Sequence, residues 1–177
     1  MKILETSRLW LREFRISDAP NMFELNSDPE VIKYTGDVSF QSLQEAETFL
    51  KNYDPYSQTG MGRWLVLRKS DQACLGWCGL KLHNNDWVDL GYRFFKRYWN
   101  QGYATEASIG CLNYGFDKLR LEEVYGMVVA ENIASVKVLG KLGFNFLNEI
   151  EDGLMGNSHL YGLQRKDWEH FDVSARN

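Results

Sequence analysis

The chain has no run of about eighteen apolar residues, so nothing in it reads as a membrane-spanning helix. Cysteine is scarce: Cys74, Cys78 and Cys111 are the only three. An odd set without metal-ligand spacing excludes a disulfide framework, leaves no metal expected, and points to a reduced, cytoplasmic chain. Cys74 and Cys78 lie four apart in a strand-like stretch, face the same way and read as packing. Internal repeats, low-complexity segments and Pro/Gly/Ser-rich linkers are also missing. The 177 residues therefore read as one domain over 1–173 with a loose tail over 174–177, long enough for a full core without metal or disulfide support. The opening Met1-Lys-Ile-Leu-Glu-Thr-Ser-Arg8 is too polar for a signal peptide. Basic residues number 20 against 24 acidic ones, a net charge of −4, which argues against non-specific nucleic-acid binding and mildly favours a cationic substrate. The Gly-Lys-Ser/Thr of a P-loop and the Gly-x-Gly-x-x-Gly of a dinucleotide fold are absent as well, which speaks against a nucleotide-binding domain.

What is present centres on Tyr98-Trp-Asn-Gln-Gly-Tyr-Ala-Thr-Glu-Ala107. Before it, Val88-Asp-Leu-Gly-Tyr-Arg-Phe-Phe95 is rich in strand formers; after it, small or apolar residues recur at Ala104, Ala107, Ser108, Cys111, Gly115, Phe116 and Leu119 with helical spacing. A strand that turns tightly into a helix exposes unpaired N–H groups and the positive end of the helix dipole. Gly102 lets the main chain approach a bulky anion, and the amides of Gln101, Tyr103, Ala104 and Thr105 can point at phosphate oxygens. A second unit of the same kind follows: the strand Val124-Tyr-Gly-Met-Val-Val-Ala130, then a helix with Asn132 and Ser135 at its mouth.

Elsewhere the pattern alternates between strands and short turns. Arg8–Phe14 reads as a half-buried strand. A helix follows from Ser17 or Asp18, with Pro20 in its first turn. Asp28–Gly36 reads as irregular, and Gln44–Tyr53 as a helix ended by Pro55. Arg63–Arg68 and Cys74–Leu82 form a hairpin through Lys69–Gln72, and a turn at His83–Asp86 leads into the strand before Gly102. Phe144–Ile150 and Ser158–Leu163 read as the last strands, with Gly143 as a helix C-cap. The sum is an α/β (α+β) fold, a mixed, mostly antiparallel sheet of about seven strands with about four helices.

The ordered set Trp99-x-x-Gly102-x-Ala104, Asn132-x-x-Ser135 and Lys141-Leu-Gly-Phe144 resembles the GCN5-related N-acetyltransferases. Arg8-Leu-Trp-Leu-Arg12 with Asp18 resembles their RimJ/RimL ribosomal-protein N-terminal acetyltransferase branch, and the likeness runs from about Leu4 to Trp168. The resemblance implies that the amides of Gln101, Gly102, Tyr103, Ala104 and Thr105 hold the pyrophosphate of acetyl-CoA, and that Asn132 and Ser135 lie beside its pantetheine arm. Backbone N–H groups near Tyr92 to Phe95 would stabilise the oxyanion, with Tyr92 and Phe94 as cofactor contacts. The first third of the fold would close over the acceptor, with Tyr34, Phe40 and Tyr53 as candidate lining.

Two positions depart from the family pattern. Trp99 stands where Gln or Arg is usual, and Leu139 where many relatives carry a tyrosine that protonates the departing thiolate. Ser135 is then the candidate acid, although Asn132 and Ser135 also match a helix N-cap and its N3 partner. Asp89 is the first choice of base; Asp86, His83 and water are alternatives. An α-amino acceptor, with a reference pKa of about 7.7–8.0 against about 10.4 for lysine, asks less of that base. The expected activity is direct transfer of acetyl from acetyl-CoA, in a ternary complex, to a protein or peptide N-terminal amine. The alternatives are a small amine such as an aminoglycoside or polyamine, and a non-catalytic acyl-CoA sensor. A homodimer is expected from the frequency of C2 pairs.

Overall fold

Alternating burial decides the first strands. Leu9 and Leu11 are fully buried while Trp10 and Arg12 are half-exposed, which makes Leu9–Arg12 a strand (β2) that pairs with β1 (Lys2–Glu5). The computed structural model describes residues 2–83, 87–152 and 156–170. Six further strands complete one sheet: β3 (Gly62–Arg68), β4 (Cys74–Leu82), β5 (Val88–Phe94), β6 (Glu123–Val129), β7 (Asn145–Asp152) and β8 (Gly156–Gln164). Their spatial order is β1-β2-β3-β4-β5-β6-β8-β7. The mixed α/β class holds, with eight strands rather than about seven. The added strand is β1, whose two inner residues are half-buried between two exposed ones, so that no alternation shows.

Among the described residues seven α-helices accompany the sheet: α1 (Ala19–Ser27), α2 (Pro29–Ile32), α3 (Leu43–Asn52), α4 (Tyr56–Thr59), α5 (Tyr103–Asn113), α6 (Ile133–Lys141) and α7 (Arg165–Glu169). The sequence signals find α1, α3, α5 and α6. The other three are single turns of four or five residues, too short to carry a period. Among the described residues no helix is long and apolar enough to cross a membrane.

Helix α5 lies close to the sheet because its inner face is small. Ala107, Ser108 and Cys111 are fully buried, and Cys111 Sγ sits 3.6 Å from Cys78 Sγ. A Cβ on Gly110 would come within 2.8 Å of Leu4 on β1. Past Asn113 the helix widens into a π turn over Tyr114–Lys118. Cys74 and Cys78 do not face the same way. The pairing of β3 with β4 slips between Val66 and Leu67, opposite Gly76, whose φ is +142°. This bulge shifts the alternation. Cys78 therefore joins the core under α5, while Cys74 packs on the other side with Leu25, Val31 and Phe95. Gly143 takes the positive φ of +83° that a C-cap wants. The tail read as loose past Val173 and the turn residue Asp86 lie outside the described residues.

One junction positions the site. Every neighbouring pair of strands is antiparallel except β5 and β6, which run parallel and share only the register pair Asp89↔Tyr125. Beyond that pair the two strands part.

Candidate active site

The gap between the strands is a cleft of about 580 Å3. Gly91, Tyr92 and Arg93 of β5 form one bank, Gly126, Met127 and Val128 of β6 the other, and Asn132, Ser135 and Leu139 of α6 close it. Toward the first third of the chain the wall becomes aromatic. Phe14, Tyr53, Phe49 and Phe40 succeed one another at centroid separations of 5.3, 5.4 and 5.7 Å, and Tyr34 and Trp77 join them. Tyr34, Asp89, Tyr92, Asn132 and Ser135 thus meet in one cleft. The Phe94 side chain belongs to the core. Residues 101–105 stand outside the lining, beyond the C-terminal end of β5.

Those loop residues have the geometry of an anion cradle. Asn100 and Gly102 take φ of +59° and +78°, a conformation open to glycine and tolerated by asparagine. Gln101 and Gly102 are exposed. Helical bonding starts with the Glu106 N–H donating to Gly102 O at 3.0 Å. The amides from Asn100 to Thr105 donate to no acceptor among the described residues, so they and the dipole of α5 are available to an anion. Trp99, though exposed, braces the loop, its indole N–H donating to Phe94 O at 2.8 Å and tying the turn to β5. Arg8 supports the other side, donating to Gln101 O at 3.1 Å, with its guanidinium 4.4 Å from the Tyr103 ring centre. Glu106 anchors the β1–β2 turn by accepting from Thr6 Oγ1, Ser7 Oγ, and both Arg8 N and Arg8 Nε. Burial pushes this carboxyl up, but those donors outweigh it and hold it below its ordinary value.

At the mouth of α6, Asn132 caps the helix by accepting from Ser135 N–H at 3.2 Å. The capping reading therefore holds, and it uses the amide of Ser135 while sparing its hydroxyl. Leu139, one turn further on, is buried, and its methyl groups fill the place where a Cβ on Gly126 would stand, 2.8 Å away. Packing against β6 explains an apolar residue there. A hydroxyl does reach this corner from across the cleft: Tyr92 donates to Ser135 O at 3.3 Å, and burial pushes its pKa well up, so it stays a donor.

The opposite end holds an ion cluster that no sequence motif announces. Arg63 on β3 crosses β4 and β5, donating to Gly79 O at 2.6 Å, Asp89 O at 3.2 Å and Asp89 Oδ2 at 2.6 Å. It can do so because Gly79 and Gly91 lie side by side in the register; a Cβ on Gly91 would stand 2.6 Å from the guanidinium carbon. His83 Nε2 lies 2.6 Å from Asp89 Oδ1, and the imidazole stacks on Trp87 at 4.3 Å. Burial pushes Asp89 up, but the Arg63 charge and the bonds from His83 and Arg63 prevail and hold it below the usual carboxylate range. A carboxylate so held is a weak base, and that bears on the role read for Asp89 in the sequence.

Further along the same face, Arg93 is 92% buried. It donates to Asn26 and Asp37 and, like Arg63, lies over Trp77. Tyr53 lines the cleft, and its hydroxyl oxygen accepts from Arg63 N–H at 2.8 Å.

Known proteins share this fold. Residues 8–145 match the family model described as an acetyltransferase (GNAT) domain. The uncharacterized N-acetyltransferase p20 of Bacillus licheniformis is 28% identical over 176 residues, covering 95% of this chain and 99% of that relative. In structure, a GNAT-family acetyltransferase from Bacillus anthracis superposes with a TM-score of 0.80 at 24% identity, covering 92% of this chain and 98% of the other. Spermidine N-acetyltransferase from Vibrio cholerae, solved with CoA and spermine, gives 0.79 at 18% identity, covering 92% and 99%. With the family's domain matched over residues 8–145 of its 177, the chain belongs to the GNAT acetyltransferases.

Proposed function

We propose that this acetyltransferase takes its acetyl group from acetyl-CoA and delivers it to the α-amino group of a peptide or protein N-terminus, in the manner of the RimJ/RimL branch. The observation that carries the reading is the run of amides from Asn100 to Thr105, at the start of α5, that meet no acceptor among the described residues. In this reading Gln101, Gly102, Tyr103, Ala104 and Thr105 cradle the pyrophosphate. The backbone of Tyr92 and Phe94 faces the thioester, and Asn132 and Ser135 flank the pantetheine arm. The acceptor enters beside Tyr34. Its nitrogen attacks the acetyl carbon, its proton leaves toward the Asp89 end of the cleft, and the Ser135 hydroxyl donates to the departing thiolate. A thioester is already activated, so holding the reactants about 3–3.5 Å apart supplies much of the rate. We keep the cytoplasmic setting and the homodimer read from the sequence.

The cleft's charges favour a singly charged amine over a polyamine. Its lining carboxylates among the described residues, Asp37 and Asp89, are each held by an arginine, so neither is left to pair with a second ammonium group. A sensor that binds acyl-CoA without turnover draws its support from Leu139. Thiol release from acetyl-CoA with a panel of peptide amides, spermidine and an aminoglycoside tests the three together. Release with the peptides and not with spermidine is the expected result; no release with any amine favours the sensor. Calorimetry with CoA should show binding to the wild type and its loss in Gly102→Glu, and equal affinity in both would refute the cradle.

A further inference from the structure

We propose that His83 takes the proton from the acceptor amine, with Asp89 as its positioning residue and Arg63 holding Asp89 in place; this rests on the acetyl-transfer reading above. Both Asp89 oxygens are committed, Oδ2 to Arg63 and Oδ1 to His83. An ionised carboxylate only accepts hydrogen bonds, so the hydrogen on His83 sits at Nε2 and the free lone pair at Nδ1. Nδ1 meets no partner among the described residues. The ring lines the cleft and is 29% exposed, and stacking on Trp87 fixes its plane. A base oriented by a buried acid is the arrangement that lets an imidazole accept a proton at Nδ1 while the carboxylate steadies the resulting cation.

The placement suits the chemistry. Asp89 pairs with Tyr125 at the one point where β5 and β6 meet, so His83 stands at the closed end of the gap. Among the described residues, the charged and titratable groups around it are Arg63 from β3, Lys81 opposite Asp89 on β4, and Asp89 on β5. From β6 comes Tyr125, whose hydroxyl is turned to Glu123. In the step, the amine lone pair forms the C–N bond to the acetyl carbon as the C–S bond breaks. The N–H proton passes to Nδ1 and later to water at the exposed ring edge, and the thiolate takes a separate proton from Ser135 or solvent.

The test uses the full chain with acetyl-CoA and the dipeptide amide Ala-Phe-NH2, following thiol release from pH 5 to 9. His83→Gln should lower kcat about 100-fold, the scale of general-base catalysis. Acetyl-CoA affinity should stay within about twofold, and the acid limb of the profile should vanish. Added imidazole should restore part of the rate in His83→Ala. Asp89→Asn should lower kcat with acetyl-CoA affinity kept, and should free the His83 hydrogen to leave Nε2 in long-range 1H–15N spectra, because the amide can no longer act only as an acceptor. Long-range 1H–15N spectra of the wild type should place the hydrogen on Nε2. A wild-type kcat and limb in His83→Gln, or a hydrogen on Nδ1, would overturn the proposal while leaving acetyl transfer intact. A wild type that binds acetyl-CoA yet releases no thiol would overturn both.

Discussion

Replacing Gly91 by alanine should cost more than adding a methyl group to a strand usually does, because the space belongs to a guanidinium. The new Cβ would stand 2.6 Å from Arg63 Cζ and Nη2 and 2.9 Å from Nη1, where carbon contacts settle at about 3.5–4.0 Å. Arg63 must therefore lift by about 1 Å. That lengthens its bonds to Gly79 O and Asp89 Oδ2, now 2.6 Å each, past the useful range. Hydrogen bonds to charged groups contribute about 1.5–3 kcal/mol each, and severing a buried pair costs about 3–5 kcal/mol. The swung guanidinium regains some water, so we expect a loss of about 2–4 kcal/mol.

Urea unfolding at pH 7 should show the midpoint falling with an unchanged m-value. The pH dependence supplies a second reading. Asp89 titrates below its unfolded value, so its contribution is fully present above about pH 3.9 and is lost as the pH falls through the lower, folded value. In Gly91→Ala that acid-side loss should be smaller. A variant with the wild-type midpoint would show that Arg63 is free to move and that Asp89 needs no lock.

Glu106→Gln should detach the β1–β2 turn from α5, costing about 1–3 kcal/mol in urea unfolding at pH 7. The wild-type carboxyl is held low, so its contribution is present above about pH 4.3 and fades on further acidification; the glutamine variant should lack that fade. Ser135→Ala should leave stability within about 0.5 kcal/mol, because the cap uses the Ser135 amide and Tyr92 uses its carbonyl. A fall in kcat with unchanged CoA affinity would then report the hydroxyl alone, and a wild-type kcat would remove it from the chemistry. Asn132→Ala should instead cost about 1 kcal/mol, the usual worth of a cap, read in the same urea assay.

What could be read from the chain is what short-range rules encode. The loop around Gly102 announced itself because a strand, a glycine and a helix follow one another there, and its open amides are local geometry. The cap at Asn132 and the helix end at Gly143 were legible for the same reason. The Asp89 cluster was not, since Arg63, His83 and Asp89 meet only once the register lays Gly79 beside Gly91. Nor does spacing show that Tyr92 reaches Ser135 from across the cleft. The bulge at Gly76 is invisible to a two-residue period, so the facing of Cys74 was misread. Tyr53, read as acceptor lining, also serves as an acceptor for the Arg63 amide, because aromatic content does not show where a hydroxyl points.

The single register pair between β5 and β6 inverts an ordinary expectation about exchange with solvent. Amides of a central strand normally swap hydrogen for deuterium last, since a ladder guards them on both sides. Past Asp89 and Tyr125 the two strands have no ladder between them, so the amides turned toward the opening should label early, in the middle of the sheet. Whatever threads the opening would slow them, and deuterium uptake would then trace its path without any need to know its name.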